Sequence, residues 1–278
     1  MRIGIVGLGL IGGSVAKAFK KYTDCEILGL DLKHEVMGKA LSEHAIDASL
    51  DGRIDECDIL VLGLYPDAAV DFVIKNAEYI NKKTIVTDVS GVKEKVCTGI
   101  YPIAKKYGFS FIGMHPMAGI EKFGFDYSKA DMFQNASLIM TPFEDTDRTA
   151  EEILKNAFMK LGFAKVRRTT PENHDKMIAY TSQLAHVLSC CYIKSPSAMS
   201  VGGFCAGSLR DMTRVAHLNE VMWTELFMEN SENLAEETEL LARSLDEFAK
   251  ALRMRDEQKI FDLLKEGREK KDYVDEHM

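Results

Sequence analysis

Two patterns of hydrophobic and polar positions divide the chain. Up to about residue 170, short continuous apolar runs at residues 2–7, 26–31, 58–64, 84–89, 109–113, 137–141 and 165–168 read as strands. Between them, residues 12–21, 67–79, 93–106 and 147–161 carry helical spacing. Continuous Val/Ile/Leu strands separated by helices predict a parallel sheet covered on both faces. After Thr170 the strand signal almost vanishes. Thr170-Pro171-Glu172 has the chemistry of a helix start, with a Thr cap, Pro at the first helical position and an acid in the first turn. Helical spacing then runs to the end, broken at Pro196 and Gly202-Gly203, with long charged helices expected over 219–250 and 256–271. The expected fold is α/β: a Rossmann-type parallel sheet domain over residues 1–169, then an all-helical domain over 170–278.

Composition narrows the class of protein. With 35 Lys+Arg against 43 Asp+Glu, the 278 residues carry a net charge of −8, which argues against a nucleic-acid binder. Hydrophobic residues at 46% and charged residues at 28% exclude disorder and collagen-like repeats. No apolar run reaches the roughly 18 residues that a membrane span needs. The N-terminus opens directly on a strand without a signal-peptide cleavage pattern. Cys25, Cys57, Cys97, Cys190, Cys191 and Cys205 form no CxxC pair. They are expected to be free thiols packed as small hydrophobes in a reducing compartment, so a cytoplasmic protein is expected. No separate regulatory domain is expected at either end, which would confine any feedback control to the active site.

Gly7-Leu8-Gly9-Leu10-Ile11-Gly12-Gly13 is a GxGxxG run that leaves the first strand and opens the first helix. There, glycine allows a tight turn, close backbone approach to a pyrophosphate and close helix–strand packing, while the helix N-terminus faces the phosphates. Gly7, Gly9, Leu10, Ile11 and Gly12 are the expected cofactor contacts. Asp31, at the end of the second strand, would accept from the ribose hydroxyls and repel a 2′-phosphate, favouring NAD. Lys33 and His34 lie close by, so NADP is disfavoured rather than eliminated.

Four further segments carry polar groups that a scaffold does not require. Ser90, between a strand and a helix, suits either a substrate contact or a helix cap. His115, fixed between a strand and Pro116, has the chemistry to take a hydroxyl proton near neutral pH, and Glu121 can orient or gate that site. Gln183 and His186 lie on an otherwise apolar helix, where they serve either a substrate or a helix–helix hydrogen bond. Arg214 can clamp a carboxylate bidentately or pair with Asp211, and Arg210 adds a second cation. No HExxH, CxxC, GxSxG or P-loop pattern occurs, and no metal is expected.

Taken together, these motifs resemble the prephenate/arogenate dehydrogenase family of tyrosine biosynthesis over essentially the whole chain. The carrying residues are the Gly7 to Ser14 loop, Thr87-Asp88-Val89-Ser90-Gly91-Val92-Lys93, His115-Pro116-Met117-Ala118-Gly119 with Glu121-Lys122, His174-Asp175, and Arg210-Asp211-Met212-Thr213-Arg214-Val215-Ala216. The resemblance implies NAD(P)-dependent oxidative decarboxylation of a cyclohexadienyl acid and a helical dimerisation domain, hence a homodimer. It implies that His115 binds and deprotonates the ring hydroxyl, that Arg214 holds a substrate carboxylate, and that His186 and Glu121 shape the pocket.

Two departures stand out. The serine usual before Val-Lys is Gly91, with Ser90 one position earlier. The usual Ser-His-Leu-Pro-His run is Ser182-Gln183-Leu184-Ala185-His186, which leaves prephenate, arogenate and aminodeoxyprephenate open as substrates and removes the usual cause of a helix kink. The rival readings are a β-hydroxyacid or imine reductase and a non-catalytic NAD-binding regulator.

Overall fold

The computed structural model describes residues 1–277. Along the chain run β1 (Arg2–Val6), α1 (Leu10–Tyr22), β2 (Glu26–Leu30), α2 (His34–Ser42), β3 (Ala48–Ser49), β4 (Ile59–Leu62), α3 (Pro66–Asn76), β5 (Ile85–Asp88), α4 (Glu94–Tyr107), β6 (Ser110–Pro116), β7 (Ser137–Thr141), α5 (Arg148–Met159) and β8 (Lys165–Arg168). The strands form one sheet in the order β3-β2-β1-β4-β5-β6-β7-β8. The seven expected strands are present. The two-residue β3 and the helix α2 are additions, both too short to leave a clear period in the sequence.

Alternation within the strands feeds two cores. In β4, Ile59 and Val61 join Val15 and Phe19 of α1 and Leu154 and Phe158 of α5. Leu60 and Leu62 face the other way, joining Ala69 and Val73 of α3 and Val96 and Ile100 of α4. On the first face Phe19 and Phe158 meet edge to face, with centroids 5.4 Å apart. One strand pair departs from the expected parallel sheet, for β6 and β7 run antiparallel. A parallel return needs a crossover, usually a helix. Residues 117–136 hold only the 3-10 turn Phe125–Tyr127 and no α-helix, so the chain comes straight back.

After β8 the chain becomes helical, as its pattern indicated. Thr170 caps α6 (Pro171–Ile178) by accepting from the Asn173 amide at 3.2 Å. A π-helical turn at Ala179–Gln183 separates α6 from α7 (Leu184–Tyr192), and α8 (Gly207–Thr213) and α9 (Glu220–Met228) follow. The π-turn inserts an extra residue into the helical repeat. It therefore breaks the single apolar stripe that a straight helix would show: Leu184 is buried, but Met177 and Cys191 are exposed. A kink-prone geometry thus persists without proline.

The described residues pack as two compact units, one of residues 1–230 and one from Ser231 onward. The change from strands to helices at residue 169 falls inside the first, because α6 packs on α4. The helix expected over 219–250 is two helices, interrupted at Glu229 and Asn230, where the buried Asn230 amide donates to the Asp175 carbonyl at 2.8 Å and to Gln183 Oε1 at 2.7 Å. In the second unit, α10 (Ser231–Met254) and α11 (Glu257–His277) form a helical hairpin. Arg255 turns it with a φ of 52°, and the Asp256 amide donates to the Ala251 carbonyl at 3.0 Å.

All six cysteines are free. Cys57 and Cys97 are buried, and burial pushes both thiols up to about 12. Cys191 and Cys205 are exposed, contrary to the expectation that every thiol packs inside: Cys191 lies on an outward side of α7 and Cys205 in the loop before α8. Among the described residues no helix is long and apolar enough to cross a membrane.

Candidate active site

The strand order reverses direction between β1 and β4, and in such sheets ligands bind at the carboxyl edge beside that point. The glycine loop lies there. Gly7 takes a φ of +86°, and a Cβ on it would stand 2.4 Å from the Gly63 carbonyl oxygen. A Cβ on Gly12 would stand 1.9 Å from the Gly7 oxygen, so both glycines are demanded by the close approach of loop, helix and β4. Gly9 differs: a Cβ there meets open space. It caps α1, whose first residues are Leu10 and Ile11, with no side-chain cap and no acid in the first turn. The unsatisfied amides and positive end of α1 thus face an open cradle, which suits a pyrophosphate.

Asp31, just past β2, closes the loop. Its Oδ2 accepts from the Leu8 amide at 2.9 Å and its Oδ1 from the Lys33 amide at 2.9 Å. Each oxygen keeps a lone pair for a ribose hydroxyl. The residues present fit a dinucleotide.

A second constellation joins the ends of β5 and β6 to α6. His115, half-buried near the end of β6, places Nδ1 2.9 Å from Nε2 of His174. His174 is buried and places its own Nδ1 2.6 Å from Asp175 Oδ1. Asp175 in turn accepts the backbone amides of Lys93 and Glu94, each at 2.8 Å, so its carboxylate sits on the N-terminus of α4. Burial, then His174, then Lys93 hold the His115 imidazole well below its usual range. Burial also lowers His174, against the opposing hydrogen bond from Asp175. His174 and Asp175 carried no assigned role in the sequence, since only the fold brings α6 against β6.

Beneath them lies a fully buried ion pair between Lys93 Nζ and Asp88 Oδ2. Ser90 belongs to that interior. Its hydroxyl lies 2.6 Å from Asp88 Oδ2 and 2.9 Å from the Val92 carbonyl, and it accepts from Lys93 Nζ at 3.2 Å. With its one proton already claimed by these acceptors, Ser90 has none to give a substrate, which counts against the substrate contact expected of it. Nor does it cap α4, whose cap position is Lys93.

The helices carry a cleft of about 350 Å³ lined by Thr181, Ser182, His186, Met212, Arg214 and Val215 among others. His186 Nδ1 meets the Val215 carbonyl at 3.3 Å and its ring lies 3.9 Å from that of Trp223, so Nε2 is left as the acceptor. Burial lowers its pKa, with the Val215 bond opposing. Arg214 pairs not with Asp211, one of the two expected alternatives, but with Glu121, 93 residues away. That pair ties the loop after His115 to the cleft wall, although His115 itself is not in the lining.

Two residues expected to touch substrate do not line this cleft. Arg210 is exposed and outside the lining. Gln183 is buried, donating to the Leu226 carbonyl at 3.0 Å and accepting from Asn230 at 2.7 Å. Both ends of its amide are committed to helix–helix bonding.

Comparison with known proteins agrees with this geometry. Residues 15–167 match the nucleotide-binding domain of prephenate dehydrogenase, and residues 170–266 match its dimerization domain. A Bacillus subtilis prephenate dehydrogenase is 30% identical over 281 residues, covering 98% of this chain and 74% of the relative. The structure of A. aeolicus prephenate dehydrogenase in complex with hydroxyphenyl propionate and NAD+ superposes with a TM-score of 0.86 at 28% identity, covering 99% and 98% of the two chains. A Synechocystis arogenate dehydrogenase gives a TM-score of 0.80 at 26% identity, covering 99% and 100%. With a glycine cradle for a dinucleotide, a histidine poised at the end of β6 and both domain matches in register along the sequence, the chain belongs to the prephenate dehydrogenase family.

Proposed function

We propose that this protein is an NAD-dependent oxidoreductase that converts prephenate to 4-hydroxyphenylpyruvate with loss of CO2, in the synthesis of tyrosine. When bound, NAD+ supplies the hydride acceptor. Gly9, Leu10 and Ile11 present the open end of α1 to its pyrophosphate, Gly7 and Gly12 permit the approach, and Asp31 takes the ribose hydroxyls. His115 takes the proton of the ring hydroxyl at Nε2, the nitrogen that His174 leaves free. Arg214, exposed and held by Glu121, keeps further N–H donors for a substrate carboxylate, and His186 shapes the cleft beside it.

The observation that carries this reading is the His115–His174 contact. A regulator that only bound NAD has no use for a buried chain of hydrogen bonds ending on an accessible ring nitrogen. Residues 1–169 hold the cofactor in this reading, while 170–278 supply the substrate cleft and the contact between two copies. Support for a homodimer comes from apolar side chains left exposed on single helices, such as Val221 and Met228 of α9 and Phe261 and Leu264 of α11. All six cysteines being free fits a cytoplasmic setting.

Arogenate is the second reading, because Glu121 places a carboxylate at the cleft, where an ammonium group would find it. Supplying prephenate and arogenate separately with NAD+, following NADH and identifying the product, tests both. Formation of 4-hydroxyphenylpyruvate supports the first and formation of tyrosine the second. Turnover of neither overturns both.

A further inference from the structure

The hydrogen bonds behind His115 have a direction that heavy-atom positions fix. Backbone amides only donate, so Asp175 is the acceptor toward Lys93 and Glu94, with one bond on each oxygen. An acceptor-only carboxylate obliges His174 Nδ1, 2.6 Å away, to be the donor. A neutral imidazole that donates from Nδ1 has a bare Nε2. That bare nitrogen lies 2.9 Å from His115 Nδ1 and obliges it to carry a proton. The second nitrogen of His115 is then unprotonated.

From this sequence of donors we propose that Asp175 and His174 are positioning residues: anchored on the N-terminus of α4, they fix the tautomer of His115 so that its Nε2 is always the proton acceptor. The proposal rests on His115 being the base, and adds two residues that never touch substrate. Its physical content is a choice between two neutral tautomers. In one, Nε2 accepts the hydroxyl proton; in the other, the same atom already carries a proton and the ring is no base. The arrangement is rigid because His174 and Asp175 are both buried and the carboxylate is held by two amides at a helix end. The other charged groups around His115 come from the turn between β5 and α4, where Lys93 is paired with Asp88. That pair persists when Asp175 is changed, so the effect of Asp175 can be read separately.

The test combines nitrogen NMR on 15N-histidine-labelled protein with the kinetics of two variants. In the wild type, His115 Nε2 should give the signal of an unprotonated ring nitrogen and Nδ1 that of a protonated one. Asp175→Ala removes the acceptor that keeps the proton on His174 Nδ1, so both rings should lose their fixed tautomer and the two nitrogen signals of His115 should average. Its kcat should fall severalfold as the competent tautomer is diluted. Removing the negative charge should also move the acid limb of kcat/KM to lower pH, while NAD affinity holds. His174→Phe keeps a ring in the site but removes the acceptor, and should lower kcat comparably with Asp175 left on α4.

A wild-type His115 protonated at Nε2 would overturn the proposal whether or not the variants fold. So would wild-type kcat in both variants when His115→Asn has lost it. If His115→Asn itself keeps full activity, the reading of His115 as the base fails, and it does so distinguishably from the relay.

Discussion

His115 and His174 meet with 2.9 Å between Nδ1 and Nε2 and with their ring planes 62° apart. The contact joins the end of β6 to α6 and leaves one edge of His115 open. Protonating either ring would set a charge against the other in a poorly hydrated place. Burial first, then His174 and Lys93, therefore keep His115 neutral well below the ordinary value of 6.5. The acid limb of kcat/KM, which reports the free enzyme, is expected below pH 6.5, and a pH–rate profile checks it.

The same shifts predict acid sensitivity of the fold. His115, His174 and His186 all have lowered pKa values in the native state. Between the lowered value and the ordinary 6.5, the unfolded chain binds more protons than the native one, so stability rises with pH across that window. It is complete above about pH 6.5 and is lost progressively as pH falls below it. Denaturant midpoints measured at several pH values should decline on that side, and less so in His174→Phe.

Gly9 and Gly12 separate binding from folding. A methyl group on Gly9 meets nothing in the protein, whereas one on Gly12 stands 1.9 Å from the Gly7 oxygen. Gly9→Ala should keep the wild-type Tm and weaken NAD binding, because the methyl enters the space left for the pyrophosphate. Gly12→Ala should lower Tm and binding together. Thermal melts and NAD titration of the two proteins decide it, and equal Tm losses would count against the open cradle.

Arg214→Gln should act chiefly on KM. Losing a hydrogen bond to a charged group costs about 1.5–3 kcal/mol, or roughly 10- to 150-fold in substrate capture. Stability should scarcely change, since the Arg214–Glu121 pair is exposed and such pairs contribute about 0–1 kcal/mol. Steady-state kinetics and melts of the same variant check both halves.

Asp31 holds the Leu8 and Lys33 amides, and in the proposed site its charge would repel a 2′-phosphate. Asp31→Asn should therefore raise kcat/KM with NADP relative to NAD, and should loosen the loop modestly. An undiminished NAD preference would remove Asp31 from the specificity argument.

Much of this is legible in the sequence, and the reasons lie in particular residues. Continuous runs such as Ile59 to Leu62 announce buried strands because both of their faces are apolar. The glycine loop is local, so its chemistry is written in adjacent positions. What depends on long-range packing was not legible. The identity of Ser90 does not disclose that its proton is claimed by Asp88 and Val92, nor does that of Gln183 disclose its bonds to Leu226 and Asn230. The partner of Arg214 lies 93 positions away, beyond the reach of helical spacing. The π-turn at Ala179–Gln183 shifts the helical phase without a proline to mark it.

In the proposed reaction His115 is the base, and the cofactor site is independent of it. Steady-state turnover of prephenate by His115→Asn is to be compared with NAD affinity measured on the same protein. The kcat should be lower by roughly 10²–10⁴-fold with NAD binding intact. An unchanged kcat would contradict that role.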